Sequence, residues 1–309
     1  MLNEVDLKFY SLIRKIKNMS MDDIFNNIKD NFSKVFPDVQ KSIIDYLNRF
    51  KYWGVIDVDG ENYEEIYEKA KSFYEHLNDY EWLYNRLGDY KSKKLLYAIL
   101  NNWYCYDFQT LSEVQEKSYR HYFDFDIIPK CSDEVFVDLG SYVGDTVLDF
   151  ISSYGSNCYR KIYCYEMTDT SFAKLKDNLS EYDDIIYKNK AVSDSVGVKF
   201  INNSSEDLSA NTLGDSGDLE IDVVSLDDDI TDKITFLKMD IEGSEQAAIR
   251  GAKSHIKNDH PKMTLSVYHN NEDLWKVPRM IDGISSDYKF YLRSYGGNIF
   301  PTEIVLYCI

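Results

Sequence analysis

The chain has 309 residues, and its 35 Lys and Arg stand against 53 Asp and Glu for a net charge of −18. That excess argues against a general polyphosphate or nucleic-acid binder, whose affinity leans on cations that neutralise phosphates. No apolar run reaches the roughly 18–20 residues of a membrane span, no signal-peptide core is present, and five Cys without a C-x-x-C pair fit neither a disulfide framework nor a zinc site. A hydrophobic fraction of 44% with 26 Tyr is too rich for a disordered chain, and the expectation is a soluble, cytoplasmic protein of about two domains.

The first 115 residues read as successive helices. Val5, Phe9, Leu12, Ile13 and Ile16 recur at helical spacing. Ser20 with Asp23 forms a capping-box start for a helix running through Phe36. Pro37 suits the first turn of another that should stop near Gly54. The stretches 62–87 and 91–104 add two more, so residues 1–115 are expected to be an all-α accessory or acceptor-binding domain. Arg14, Lys15 and Lys17 crowd the end of the first helix, where the helix dipole favours cations.

From about residue 130 the texture is α/β, and residues 116–309 are expected to form the second domain. Apolar, β-rich runs at 135–139, 161–166, 184–188, 235–240, 262–268, 288–295 and 303–308 alternate with helical stretches at 145–154, 171–179 and 246–258. Alternation of this kind predicts a mainly parallel, doubly wound sheet. The stretches 198–201 and 221–225 should pair as a hairpin around a polar loop at 202–219.

Four strand ends carry chemistry. The run Val135-Phe-Val-Asp138-Leu-Gly140-Ser-Tyr-Val-Gly144-Asp145-Thr146 passes from a buried strand through two glycines into a helix. It lacks the middle glycine of G-x-G-x-x-G, and its acid would repel a phosphate and suit a cationic ligand. This disfavours a nucleotide-dependent oxidoreductase, the first alternative; a catalytically silent scaffold is the second. Glu166 ends the next strand, where Rossmann-like sheets place the acid that accepts both ribose hydroxyls. Asp240 and Glu242, two apart in an extended chain, would point to the same side, and Gly243 gives a tight exit into a helix. Two carboxylates alone make no diagnostic metal set, so no metal is expected. His269 leaves the fifth strand and is the first choice of general base, ahead of Asp240 and then Glu242. His76, His121, His255 and His260 lack such placement.

Taken in order, these residues resemble the FkbM-type S-adenosylmethionine-dependent methyltransferases. The resemblance runs from Tyr119 to the C-terminus. It rests on Tyr122-Phe123-Asp124, the D-x-G-x-x-x-G-D-T run and Tyr165-Glu166, then Lys190-Ala191-Val192-Ser193-Asp194, Ser225-Leu226-Asp227 and Lys238-Met-Asp240-Ile-Glu242-Gly243-Ser-Glu245. Tyr268-His269, Asp273-Leu274-Trp275, Tyr291-Leu-Arg293 and Glu303-Ile-Val-Leu-Tyr307 complete it. It implies a class I methyltransferase sheet with an antiparallel last strand, binding S-adenosyl-L-methionine and methylating a hydroxyl, often of a sugar in a glycan or small natural product. By the same likeness Tyr122, Asp138, Gly140, Gly144, Asp145, Thr146 and Asp240 would line the cofactor, Glu166 its ribose, and Ala191 and Val192 its adenine. Where the family carries Pro or Asn after the ribose acid, this chain has Met167-Thr168. The acceptor would be a small molecule or glycan, and a homodimer through the helical domain is the other role open to that domain.

Overall fold

The structure, a computed structural model, describes residues 2–50, 53–201, 213–214, 216–297 and 299–309. Helices α1 (Glu4–Lys17), α2 (Met21–Ser33) and α3 (Pro37–Arg49) come first. Both α1 and α2 start in full capping boxes, Asn3 with Asp6 and Ser20 with Asp23, so the orphan amides of the first turn are satisfied locally. A short antiparallel ribbon, β1 (Ile56–Asp57) with β2 (Asn62–Tyr63), then interrupts the expected all-α segment. It is too short to leave an alternating pattern in the sequence. The long helix α4 (Glu64–Arg86) kinks at His76, whose ring stacks on Trp275 at 3.9 Å. Helices α5 (Tyr90–Cys105) and α6 (Phe108–Ser112) follow.

The α/β part contains β3 (Glu134–Leu139), α7 (Asp145–Tyr154), β4 (Tyr159–Tyr165), α8 (Asp169–Asn178), β5 (Ile185–Lys188), β6 (Ala191–Val192), β7 (Gly197–Ile201) and β8 (Leu219–Val224). It continues with α9 (Leu226–Asp229), β9 (Phe236–Met239), α10 (Glu245–Gly251), α11 (Lys253–Asn258), β10 (Lys262–Ser266), α12 (Asp273–Ile284), β11 (Phe290–Ser294) and β12 (Ile304–Cys308). Seven strands form one sheet in the order β11-β12-β10-β9-β3-β4-β5, mostly parallel with one antiparallel strand. The pairs β10/β9, β9/β3, β3/β4 and β4/β5 are all parallel. Every residue of β3 and β9 is buried, as strands covered on both faces require, and this is why they read as continuous apolar runs. Phe123, Phe136, Phe150 and Phe236 pack there with ring centroids 4.5–6.2 Å apart.

The expected hairpin forms as β7/β8, with β6 added in parallel on the far side of β8. Most of the polar loop read between them, residues 202–212, lies outside the described residues. The single helix expected at 246–258 is two. Gly251 lies so close to the Ser193 carbonyl that a Cβ would sit 2.0 Å from it, and the Asp227 carboxylate accepts from the Ser254 and His255 amides at the start of α11. A carboxylate on fresh N-terminal amides favours starting a new helix over continuing the old one.

Two compact units divide the chain: Met1–Lys117 with Val267–Pro278 and Lys289–Leu306, and Ser118–Ser266 with Arg279–Tyr288 and Tyr307–Ile309. In the first, β11 is held by the start of α5. The Gly88 amide donates to the Phe290 carbonyl at 2.8 Å, the Leu292 amide to Ser92 Oγ at 2.8 Å, and Arg293 grips Asp89 at 2.7 Å. Phe290 and Leu292 are fully buried. Deleting residues 1–115 should therefore strip the cover from β11 and yield aggregated protein. A soluble, monodisperse truncation by light scattering would show that the C-terminal strands do not need the helices.

Candidate cofactor and catalytic site

The turn after β3 is fixed by its glycines. Gly140 has φ +77°, in the left-handed region, and a Cβ built on it would lie 1.9 Å from the Asp240 carbonyl oxygen. The amides of Gly140 and Ser141 both donate to the Tyr165 carbonyl, at 3.0 and 2.9 Å, so the turn is stitched to the end of β4. Gly144, at φ +87°, is the N-cap of α7, and its missing side chain leaves room for Leu175 and Leu179 around α8. The close approach at Gly144 is thus of turn on helix. Asp145, at the start of α7, is exposed, and Thr146 is half-buried. Gly140→Ala should cost at least about 3 kcal/mol, from a strained φ plus displacement of the Asp240 backbone. A wild-type denaturation midpoint would contradict this.

Glu166, immediately after β4, is buried, and its two oxygens are engaged separately. Oε2 accepts from the Tyr142 amide of the glycine turn at 3.0 Å, and Oε1 from the Thr168 amide at 2.7 Å. Burial raises its pKa above the ordinary carboxylate value, while these backbone donors pull the other way. Each oxygen keeps a lone pair for a further donor. Thr168 serves the acid through its backbone amide, and Met167 packs against Ala191, Ile201, Ile221 and Val223. Ala191 and Val192 are the buried strand β6, paired with Val223 and Val224 of β8.

Asp138 is fully buried and faces Lys238 of β9, whose ammonium is 3.0 Å from its Oδ1. The carboxylate expected to await a cationic ligand is already paired with a cation of the chain. Burial alone would push Lys238 down, but Asp138 and Asp240 raise it above its ordinary value. Composition and motif spacing passed over Lys238; the signal was present as one lysine inside an otherwise apolar strand.

Asp240 follows β9, and its Oδ2 accepts from the Tyr122 hydroxyl at 2.7 Å. Tyr122 has φ +68°, its hydroxyl is 3.4 Å from Ser266 Oγ, and its ring stacks on His121 at 3.8 Å. The segment after Asp240 is not extended. Glu242 takes φ +53° and Gly243 φ +92°, and the Ile241 amide is held by Glu245 Oε1 at 3.0 Å. A turn, not strand alternation, brings the Asp240 and Glu242 carboxylates within 4.8 Å of each other. Tyr122, Tyr142 and Glu242 are among the non-glycine residues with left-handed backbone.

His121, which has no role in the sequence reading, is pulled down to about 4 by burial. An unfolded histidine titrates near ~6.5, so between these values the unfolded chain binds more protons and stability falls as the pH drops from about 6.5 towards 4. The full effect is on the order of 3 kcal/mol, at ~1.4 kcal/mol per pH unit. Melting of His121→Phe at pH 7.5 and 5 should show a smaller acid loss than the wild type; an equal loss would assign it to other groups.

Of the expected site residues, Tyr122, Asp138, Gly140, Gly144, Asp145, Thr146, Glu166, Ala191, Val192, Asp240 and Glu242 all belong to the second unit. His269 belongs to the first. It is buried three residues beyond β10, with its ring 4.3 Å from that of Tyr268.

No curated protein matches the chain. The crystal structure of methyltransferase FkbM from Methylobacillus flagellatus KT is similar, with 24% identity and a TM-score of 0.67 over 78% of this chain and 62% of that one. The chain thus spans less than two thirds of that relative's length, and the likeness is one of fold. Weaker likenesses include a putative rRNA methylase from Clostridium thermocellum (12% identity, TM-score 0.38, covering 58% of this chain and 87% of that one). Fibrillarin from Aeropyrum pernix, solved with natively bound S-adenosyl-L-methionine, has 14% identity and a TM-score of 0.37 over 58% of this chain and 67% of its own. The family model of the methyltransferase FkbM domain matches residues 138–296, from the Asp138 at the glycine turn to beyond β11, and the chain belongs to that family of methyltransferases.

Proposed function

We propose that the protein is an S-adenosyl-L-methionine-dependent O-methyltransferase acting on a sugar hydroxyl of a glycan, nucleotide-sugar or small natural product. The observation that carries this reading is the join between the glycine turn and Glu166. Gly140 packs the turn against the Asp240 carbonyl, where a Cβ would not fit, and the next turn residue but one, Tyr142, donates its amide to the Glu166 carboxylate. A backbone passing close to a ligand beside an acid for ribose hydroxyls is the arrangement such a cofactor needs. When bound, the cofactor supplies an electrophilic methyl group on a positively charged sulfur. Glu166 would hold the ribose, Gly140 and its neighbours the amino-acid end, and Ala191, Val192 and Met167 the adenine. Asp240, Glu242 and Asp145 make the surroundings acidic, which suits a cation.

The acceptor oxygen must lose its proton as it attacks. His269 is proposed as the base, ahead of Asp240, because an imidazole's ordinary pKa near ~6.5 suits proton removal near neutrality better than a carboxylate's. Residues 1–115 are proposed to shape the acceptor site, with dimerisation as their other role, and residues 116–309 to carry methyl transfer. The acidic charge supports an acceptor other than nucleic acid. No described helix is long and apolar enough to cross a membrane.

Calorimetry with S-adenosyl-L-methionine, its demethylated product and NAD tests the cofactor, and a methyl-transfer screen over glycans and nucleotide-sugars tests the acceptor. NAD binding as tight as that of the methyl donor overturns the reading; transfer only to nitrogen acceptors overturns its second half.

A further inference from the structure

We propose that Lys238 is a positioning residue for the cofactor turn, acting through its ammonium on the backbone of Leu139 and Gly140 rather than by touching any ligand. The inference rests on the reading of this turn as the cofactor site. Lys238 is 2% exposed and lies in β9, beside the end of β3 in parallel register, Asp138 opposite Lys238 itself. Its Nζ donates to the Gly140 carbonyl at 2.8 Å and to the Leu139 carbonyl at 3.3 Å, and meets Asp138 Oδ1 at 3.0 Å. An ammonium has three N–H donors; two go to these carbonyls, and the charge is balanced by Asp138 in an ion pair.

Those two carbonyls belong to the peptide units that lead the chain into and out of Gly140, at φ +77°. Their amides are tied to the Tyr165 carbonyl and the Leu139 carbonyl also accepts from the Asp240 amide at 3.1 Å, so it is above all the Gly140 carbonyl that Lys238 holds. Held from the neighbouring strand by a rigidly buried cation, the two carbonyls fix the direction of the next two amides. These are the amides that reach the Tyr165 carbonyl, and they lie just before the Tyr142 amide on Glu166. The lysine thus couples the turn after β3 to β9, and through the turn to Glu166 at the end of β4. Asp138 is then the counterion that lets a lysine be buried here, which accounts for an acid inside β3 that faces the interior.

A purely structural pair predicts something different from a positioning one. Exchanging a buried ion pair for apolar side chains of similar volume is often neutral or stabilising, whereas removing one partner is strongly destabilising. The test is therefore the full-length double variant Asp138→Leu with Lys238→Met, compared with Lys238→Met alone. The single variant should melt well below the wild type. The double variant should regain most of that stability yet bind S-adenosyl-L-methionine and its demethylated product at least tenfold more weakly. In the absence of any ligand, hydrogen exchange at the Gly140 and Ser141 amides should be at least tenfold faster than in the wild type. Wild-type affinity and wild-type exchange in a stable double variant would overturn the proposal and leave Lys238 as a counterion only. Should the double variant not fold, Lys238→Arg carries the same two measurements. A guanidinium keeps the charge but not the three-donor point geometry, so tenfold losses support positioning and wild-type values overturn it. If the wild type itself fails to bind the methyl donor, the cofactor reading fails, while the exchange measurement still decides the role of Lys238.

Discussion

Replacing Glu166 with alanine should weaken S-adenosyl-L-methionine binding by about 2–4 kcal/mol, roughly thirty- to a thousandfold, and should do so without unfolding the protein. Two hydrogen bonds from ribose hydroxyls to a charged acceptor would contribute about 1.5–3 kcal/mol each, part of which water recovers in the variant. The structure adds a second source of loss, since alanine also releases the Tyr142 and Thr168 amides that the carboxylate now orders. Glu166→Gln keeps one oxygen acceptor and the same volume, so it should fall between the two in calorimetry. The pH dependence has a definite sign. Burial raises the pKa of Glu166, so on acidification it takes up a proton above the ordinary carboxylate range, and cofactor affinity should weaken from there downward. A carboxyl group whose pKa is raised in the folded state binds its proton more readily there than in the unfolded chain. Protonating Glu166 therefore favours the fold, and lost affinity in mild acid cannot be attributed to unfolding at this residue. Affinity of Glu166→Ala within threefold of wild type would remove the acid from the cofactor site.

The second large effect is expected at His269. As general base it would contribute on the order of 10²–10⁴-fold, so His269→Ala should lower turnover by that factor and leave cofactor affinity within about tenfold. Wild-type turnover should fall on acidification, because a protonated ring cannot accept the hydroxyl proton. His121 cannot be the source of such a limb above pH 4 to 5: burial holds it down to about 4, and it is neutral through that range. The rival is Asp240. If Asp240→Asn removes the acid limb and most of the rate while His269→Ala changes little, Asp240 is the base and the histidine has another task. Asp240→Asn would also disturb the Tyr122 hydroxyl, which donates to that carboxylate at 2.7 Å, so Tyr122→Phe is the control that separates loss of the hydrogen bond from loss of the base. Activity in all three variants points to an acceptor nucleophilic enough to need no base.

Local patterns carried most of the fold. Capping boxes at Asn3 and Ser20 set helix starts within three residues of chain, and the apolar runs around Val135–Val137 and Phe236–Leu237 announce strands buried on both faces. Gly140 was legible for the same reason, since a turn that needs φ +77° selects glycine locally. The order of motifs along the chain gave the family. Tertiary structure alone decided the rest, because the deciding partners are far apart in sequence. Lys238 finds Asp138 across 100 residues, and Arg293 finds Asp89 across 204, which draws β11 into one unit with the helices. Asp240 and Glu242 come together through a left-handed turn that alternation had read as straight strand. A charge inside an apolar strand tells the reader that a counterion must exist, since burying it alone costs too much. Which residue supplies that counterion, and what the pair then holds in place, depends on strand register and on nothing local.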